Sequence, residues 1–359
     1  MFKLVLISLT AILLAGCAGN SLRSLPPSEH VSTNVVHVLP PPQAVKPIVP
    51  VSAPRVVPAP ITTWTSLDAW TSEHDIAAAR RVPDSPVAAY SITSKNGTMV
   101  VEIGEREATW NGMEITLGFA PQFIDGEICL HGLDLEKNLE PLLCEPPMEF
   151  STNHVIVIDP GHGGSNVGTH SVLDGRFEKE FTLDTALRLK PLLEAEGWKV
   201  ILTRNSDVYV TNAYRVVFTE QHRADLYISL HFNSAAPDET QAGLETYCVT
   251  PVGMPSTVTR NYADPRNENL PNNAFDSENL QLATKMHNAL LQATGMEDRG
   301  VRRARYMEVL IGQRRPAILI EAGYLSNPAE ATRIESGDYR QKLAEAIAKA
   351  LTPQSEDGK

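Results

Sequence analysis

The stretch that most constrains this chain of 359 residues runs from Val155 to Gly164. It begins Val155-Ile156-Val157-Ile158, all apolar and β-branched, the pattern of a strand covered on both faces. It then becomes Asp159-Pro160-Gly161-His162-Gly163-Gly164, which no strand continues. Pro160 lacks a backbone donor, and the glycines accept backbone angles that other residues resist. His162 is therefore expected in a tight turn at the carboxyl end of a buried strand. In open α/β sheets that edge is where ligands bind.

Two other runs end in the same way. Asp225-Leu226-Tyr227-Ile228-Ser229-Leu230 leads into His231-Phe232-Asn233, and Ala317-Ile318-Leu319-Ile320 leads into Glu321-Ala322-Gly323. If the three strands are parallel neighbours, His162, His231 and Glu321 converge on one rim. Between the histidines lies Arg176-Phe177-Glu178-Lys179-Glu180, just ahead of a helical stretch. Two histidines and a carboxylate are a common ligand set for catalytic zinc, with water as the fourth ligand. A second carboxylate nearby then has a role as proton carrier. On the residues alone, Glu178 and Glu180 are equal candidates for the ligand. Glu321 follows Ile-Leu-Ile, where an unpaired carboxylate is costly to bury unless a cation offsets it.

Other readings of the same glycines fail. Asn166 stands where a dinucleotide fingerprint needs its third glycine, and no Gly-Lys-Ser/Thr follows for a phosphate loop. There is no Gly-x-Ser-x-Gly elbow and no cysteine with a histidine base in a known motif. A net charge of −12 excludes a nucleic-acid groove as the partner surface. His74, His131, His154, His170, His222 and His287 lack comparable context and read as surface or core residues.

Around the three strands, apolar positions near helical spacing mark a helix from Lys179 to Glu196, with Pro191 expected to kink or split it. Trp198–Thr203 reads as a strand, Asn212–Arg223 as a helix and Gly243–Val249 as a strand. Ser277–Thr294 reads as a helix, Met307–Leu310 as a strand and Asp338–Leu351 as a closing helix. Alternating strands and helices give an α/β domain over 152–352, a mostly parallel twisted sheet with helices on both faces.

The amino-terminal part is different. Lys3 followed by an apolar run from Leu4 to Ala15 is too short for a permanent span and reads as a signal peptide over 1–16. Its end, Leu14-Ala15-Gly16-Cys17, resembles the bacterial lipobox, which implies cleavage before Cys17 and lipidation of it. Ala18 follows, with no aspartate, which by the same resemblance favours the outer membrane and a periplasm-facing chain. An ordinary signal peptide with a chance cysteine is the alternative. Residues 17–61 are rich in proline, valine and serine and read as an extended tether. Residues 62–147 read as a small α+β unit: a helix begun at Ser66, hairpins around Lys95-Asn96-Gly97 and Asn111-Gly112, then a strand and helix between Ile128 and Leu143. The pattern resembles the module named for the N-terminal domain of copper amine oxidases, which implies a wall-binding or positioning role. After export Cys129 and Cys144 either pair or stay as thiols, and Cys248 reads as core. Residues 353–359 are a polar tail.

From Val155 to about Leu351 the chain resembles the zinc-dependent N-acetylmuramoyl-L-alanine amidases of the amidase-3 group. The matching pieces are Asp159–Gly164, Glu178-Lys179-Glu180, Leu202-Thr203-Arg204 with Asp207, Ala224–Asn233, Gly243–Thr246, Arg299-Gly300-Val301 and Ile320–Pro328, in the family's order. The resemblance implies zinc on His162, Glu178 and His231, Glu321 as the residue that takes and returns the proton, and Asn233 as a substrate or outer-shell contact. It also implies cleavage of the amide between N-acetylmuramic acid and L-alanine of the peptidoglycan stem peptide. Another zinc peptidase of the envelope and a catalytically silent wall-binding lipoprotein are the alternatives. Two places depart from the pattern: Thr219-Glu220 stands where Ala-Asn is usual, and Arg314-Arg315 where a bulkier apolar residue is common. Some members carry an inhibitory helix, and hence a need for a protein activator, in an insertion comparable to Thr250–Asp276. Here that segment is a poor helix former, so a lid or substrate-groove loop is the equal reading.

Overall fold

The computed structural model describes residues 63–352, apart from 84, 86 and 151–153. The signal peptide, Cys17, the tether and the polar tail lie outside the described residues.

The chain opens with β1 (Trp64–Ser66) and α1 (Leu67–Glu73). Ser66 stands at the helix start as expected, but its side chain makes no capping bond. Next come β2 (Arg80–Arg81), β3 (Ala89–Ser94), β4 (Gly97–Glu102), β5 (Glu107–Trp110) and β6 (Met113–Thr116), an antiparallel meander. The β5–β6 turn is Asn111-Gly112, with φ of 52° and 81°, a left-handed pair that a two-residue hairpin requires. Asp125-Gly126 repeats the device, with φ of 53° and 84°, between β7 (Gln122–Ile124) and β8 (Glu127–His131). The short α2 (Gly132–Asp134) then runs into a π-helical segment, Leu135–Cys144. His131 is structural: its ring accepts a bond from the Leu133 amide and stacks on Phe119. Cys129 and Cys144 are free thiols, and Cys248 is buried in the core.

The second part contains β9 (Val155–Pro160), α3 (Glu178–Ala195), β10 (Lys199–Leu202), α4 (Asn212–Gln221), β11 (Leu226–Asn233) and β12 (Leu244–Val249). After these come α5 (Asp276–Thr294), β13 (Asp298–Ala304), α6 (Glu308–Ile311), β14 (Ala317–Tyr324), α7 (Pro328–Glu335) and α8 (Gly337–Leu351). One expectation fails, and of the two outcomes expected at Pro191 the split does not occur. Met307–Leu310 is not a strand, because Glu308–Ile311 makes one helical turn. Pro191 does not split α3. It sits in the helix's last turns on an exposed face, where water can serve the carbonyl left without a donor.

An 11-stranded sheet runs β10-β9-β11-β14-β12-β13-β6-β5-β4-β3-β2. The strands β10, β9, β11 and β14 are mutually parallel, and β12 enters antiparallel to β14. Alternate residues of each central strand serve two cores. Ile156, Ile158, Leu226, Ile228, Ile318 and Ile320 join the core that also holds residues of α3, α5 and α8. Val157, Tyr227, Tyr247 and Leu319 face the other way and pack with Val309 and Leu310 of α6. Covered on both faces, these strands read in sequence as unbroken apolar runs. The two departures from the family pattern turn out to be one interaction. Arg315, just before β14, is buried and pairs with Glu220 of α4, while donating to the carbonyls of Thr219 and Ala224 at 3.0 Å each.

Candidate active site

The carboxyl ends of β9, β11 and β14 meet at one rim. Pairing sets Leu230 opposite Pro160, and His231 opposite Glu321. Between His231 and Asn233 the register with β14 shifts, a bulge that re-aims the side chains at the strand end.

The turn after β9 is built for close approach. His162 has φ 63°, left-handed and rare for a residue with a side chain. A Cβ on Gly161 would come within 2.3 Å of the His231 ring, so only glycine lets the second histidine lie against this turn. A Cβ on Gly168 would come within 2.5 Å of Glu178 Oε2 and 2.7 Å of the His162 ring. Two arginines clamp the turn's carbonyls. Arg204 donates to Pro160 O at 2.9 Å and Gly161 O at 2.8 Å, and Arg215 donates to His162 O at 2.7 Å. Arg215 also pairs with the fully buried Asp159, which accepts from Tyr227 at 2.7 Å and Ser229 at 2.8 Å. Burial works against the Asp159 charge, but Arg215 and the hydroxyl donors outweigh it and hold the carboxyl below its usual range.

Against this turn, α3 starts at Glu178 and delivers its carboxylate, 3% exposed, between the two imidazoles. Glu178 Oε2 lies 3.0 Å from His162 Nε2, and Oε1 lies 3.0 Å from His231 Nδ1. The backbone amides of Thr169 and Phe232 each donate to it at 3.1 Å. Of the two candidate glutamates, only Glu178 is here; Glu180 turns back to accept from the Phe177 amide at 3.1 Å. Ligand atoms of His162, Glu178 and His231 all lie within 4.8 Å of one another. Burial would raise the Glu178 carboxyl, but the two rings dominate and hold it well below its ordinary value. Asn166 Oδ1, 2.9 Å from His162 Nδ1, is an acceptor, which assigns the ring proton to Nδ1 and leaves Nε2 as the free donor atom.

Glu321, 7% exposed, completes the cluster from β14. Its Oε2 is buried with no hydrogen-bond partner. Burial, reinforced by the nearby charge of Glu178, pushes its carboxyl well above the usual range. Antiparallel to it on β12 stands Glu245, buried, which accepts from Arg299 at 3.1 Å and from Tyr247 at 2.8 Å. Asn233 bridges outward: its amide donates to Glu245 at 2.9 Å and its oxygen accepts from Arg260 at 3.0 Å. An open pocket of about 280 Å³ leads in past Asn212, Tyr262, Tyr306 and Glu308 to His162 and His231. Arg204, Arg215, Asn166 and Glu245 received no role from sequence reasoning. Arg204 and Glu245 lay inside matching motifs, whereas Arg215 carried no signal at all.

A family model described as N-acetylmuramoyl-L-alanine amidase matches residues 156–353, more than half of the 359-residue chain. The chain belongs to this amidase family. The family match begins within β9 and takes in all the residues of the rim just described. The chain is similar to the N-acetylmuramoyl-L-alanine amidase AmiC of Escherichia coli O6:H1, 29% identical over 252 residues, 63% of this chain and 59% of that one. It is 31% identical over 198 residues to the sporulation-specific N-acetylmuramoyl-L-alanine amidase of Bacillus subtilis, 55% of this chain and 66% of that one. It thus spans less than two thirds of the length of either amidase relative. A solved amidase from Clostridium difficile 630 is 29% identical and aligns over 56% of this chain and 96% of its own, with a TM-score of 0.46.

Proposed function

We propose that this chain hydrolyses the amide joining N-acetylmuramic acid to L-alanine of the peptidoglycan stem peptide, with zinc held by His162, Glu178 and His231 and with Glu321 carrying the proton. One observation carries the reading. A two-histidine, one-carboxylate cluster with donor atoms within 4.8 Å lies beside a buried carboxylate oxygen, Glu321 Oε2, that has no partner. One carboxylate set between two imidazoles, with the unpartnered Glu321 Oε2 beside them, is a donor set that a divalent cation would complete, so it fits zinc. Membership of the amidase family supports the bond cleaved.

When bound there, zinc supplies Lewis acidity that acidifies water and polarises a carbonyl. The chain's own groups do the rest. Asn166 fixes the His162 tautomer. The arginine clamps keep the turn from relaxing, so the histidines hold their positions. Glu321 accepts the proton of the attacking water and returns it to the leaving amine of L-alanine. Asn233, with its amide committed to Glu245 and Arg260, acts as a positioning residue. Export and a lipid anchor at Cys17, read from the sequence, would put this chemistry on an envelope surface facing the periplasm.

The test is digestion of purified peptidoglycan by the full-length protein, with mass spectrometry of the released material. Zinc-dependent release of stem peptides beginning at L-alanine is expected. Glu321→Ala should keep stoichiometric zinc and lose about 10²–10⁴-fold in turnover. Retained turnover, or loss of the metal on that substitution, would remove Glu321 from its role. Release of peptides cut elsewhere would favour an envelope peptidase instead.

A further inference from the structure

The loop between β12 and α5 is anchored at its base and presents a tip to the site. At the base, buried Arg305 pairs with Asp264 at 2.5 Å and donates to the carbonyls of Pro251 and Met254, and Ser256 donates to Asp264 at 2.7 Å. The tip is Thr259–Tyr262, closed by the Tyr262 amide donating to Thr259 O at 2.8 Å. Arg260 and Asn261 have φ of 46° and 67°. Two successive residues with side chains in the left-handed region are strained, and such strain persists where the surroundings enforce it. Here Tyr262 stacks on Tyr306, with ring centres 5.2 Å apart and planes 14° apart, and Arg260 bonds Asn233.

Arg260 is exposed and lies beside Tyr306, which with Tyr262 lines the catalytic pocket. Its guanidinium lies 5.9 Å from the centre of the Tyr306 ring and 3.0 Å from Asn233 Oδ1, two residues beyond His231. Among the described residues that is its one hydrogen bond, and it forms no ion pair. The neighbouring acid, Glu245, is taken by Arg299, Tyr247 and the Asn233 amide. Asn233 thus sits between Arg260 and Glu245, taking one bond from the arginine, whose charge also acts at longer range on Glu321 and Glu245 while the rest of its fork stays unfilled. An arginine with its fork unfilled beside a reaction centre is a receptor for a planar anion.

We propose that Arg260 is a specificity-determining residue that binds a free carboxylate on the peptide side of the scissile amide. The proposal rests on the amidase reading, because it takes the stem peptide as substrate. A peptide carboxylate is the anion that the substrate itself carries close to that bond, and the tip is rigid enough to select its position.

The experiment uses the full-length zinc-loaded protein with two substrates, N-acetylmuramoyl-L-alanyl-D-glutamate and its counterpart with the carboxylates converted to carboxamides. Arg260→Ala should raise KM for the acid by about 10–100-fold, the worth of hydrogen bonds to a charged group, while any change in kcat, which follows from the arginine's charge near Glu321, is the same for both substrates. KM for the carboxamide should stay at the wild-type value. Arg260→Lys, which keeps the charge and loses the fork, should fall between. Equal rises in KM on both substrates, a loss confined to kcat, or no loss would each overturn the proposal. If the wild type cleaves neither substrate, the amidase reading fails separately. Calorimetric titration with L-alanyl-D-glutamate then decides: weaker binding by Arg260→Ala upholds the carboxylate receptor, and unchanged binding overturns it.

Discussion

At the scale of single residues, the site depends on side chains that hold its backbone rather than join its cluster of histidines and glutamates. Asp159 is completely buried three residues before His162, and it fixes Arg215, which in turn holds the His162 carbonyl. Removing one partner of a buried ion pair leaves the other charge uncompensated, so Asp159→Asn is expected to cost about 3–5 kcal/mol at pH 7. The sign of its pH dependence follows from the depressed carboxyl. A folded-state value below the unfolded one means that the stabilisation is complete above about pH 4 and is lost as the pH falls through the folded value. The variant has no such contribution at any pH. Urea unfolding of both proteins at pH 7 and pH 3 should therefore show a wide gap that narrows in acid. A gap that widens in acid would mean that Asp159 is protonated in the native protein at neutral pH.

At the scale of elements, α3 matters because its first residue is Glu178, the carboxylate set between the two imidazoles and proposed to hold zinc, so its end must be held while its body may vary. Pro191 shows the second half of that statement. It lies inside the helix, exposed, and deprives the Leu187 carbonyl of a donor. Pro191→Ala restores that bond and is expected to stabilise the protein by about 1–3 kcal/mol in thermal or urea unfolding, with zinc affinity unchanged. Destabilisation would instead mean that the ring is part of the packing beside β10. The elements also explain what the sequence could disclose. The ends of β9, β11 and β14 were legible because each polar residue interrupts a run buried on both faces. The strand β13 was not, because Asp298, Arg299, Arg302 and Arg303 break any alternating pattern. Their charges are met across the fold: Asp298 by His287, Arg299 by Glu245, Arg302 by Glu114, and Arg303 by the Lys137 carbonyl. Met307–Leu310 misled for the opposite reason, since four mostly apolar residues fit a strand and a helical turn equally. Arg204 and Arg215 act on carbonyls more than forty residues away in sequence, and no local spacing reports that.

At the scale of the molecule, the amino-terminal meander and the amidase sheet are one sheet, joined where β6 pairs with β13 through Ile115 and Val301. The approach is close enough that a Cβ on Gly300 would lie 2.9 Å from the Glu114 carbonyl oxygen. Asp298 fastens the seam by accepting from the Glu114 amide at 2.7 Å, and His287 of α5 lies 2.9 Å from its other oxygen. The π-helical segment covers α5: Lys137 pairs with Asp276 at 3.4 Å, Gln281 donates to Pro141 O at 2.8 Å, and Leu135, Leu139 and Leu142 share a core with Leu280 and Ala283. Residues 63–150 therefore cap an edge strand and an apolar helix face that the amidase region would otherwise expose. A protein beginning at 152 would present the unpaired edge of β13 next to bare leucine-facing surface, the combination that drives association between chains. It is expected to self-associate in size-exclusion chromatography and to melt more than about 10 °C below a protein beginning at 57, since several kcal/mol of buried surface is lost. The opposite outcome, a monomeric fragment with an unchanged melting temperature, would mean that the seam is an accessory contact and that the meander is free to serve some purpose other than support.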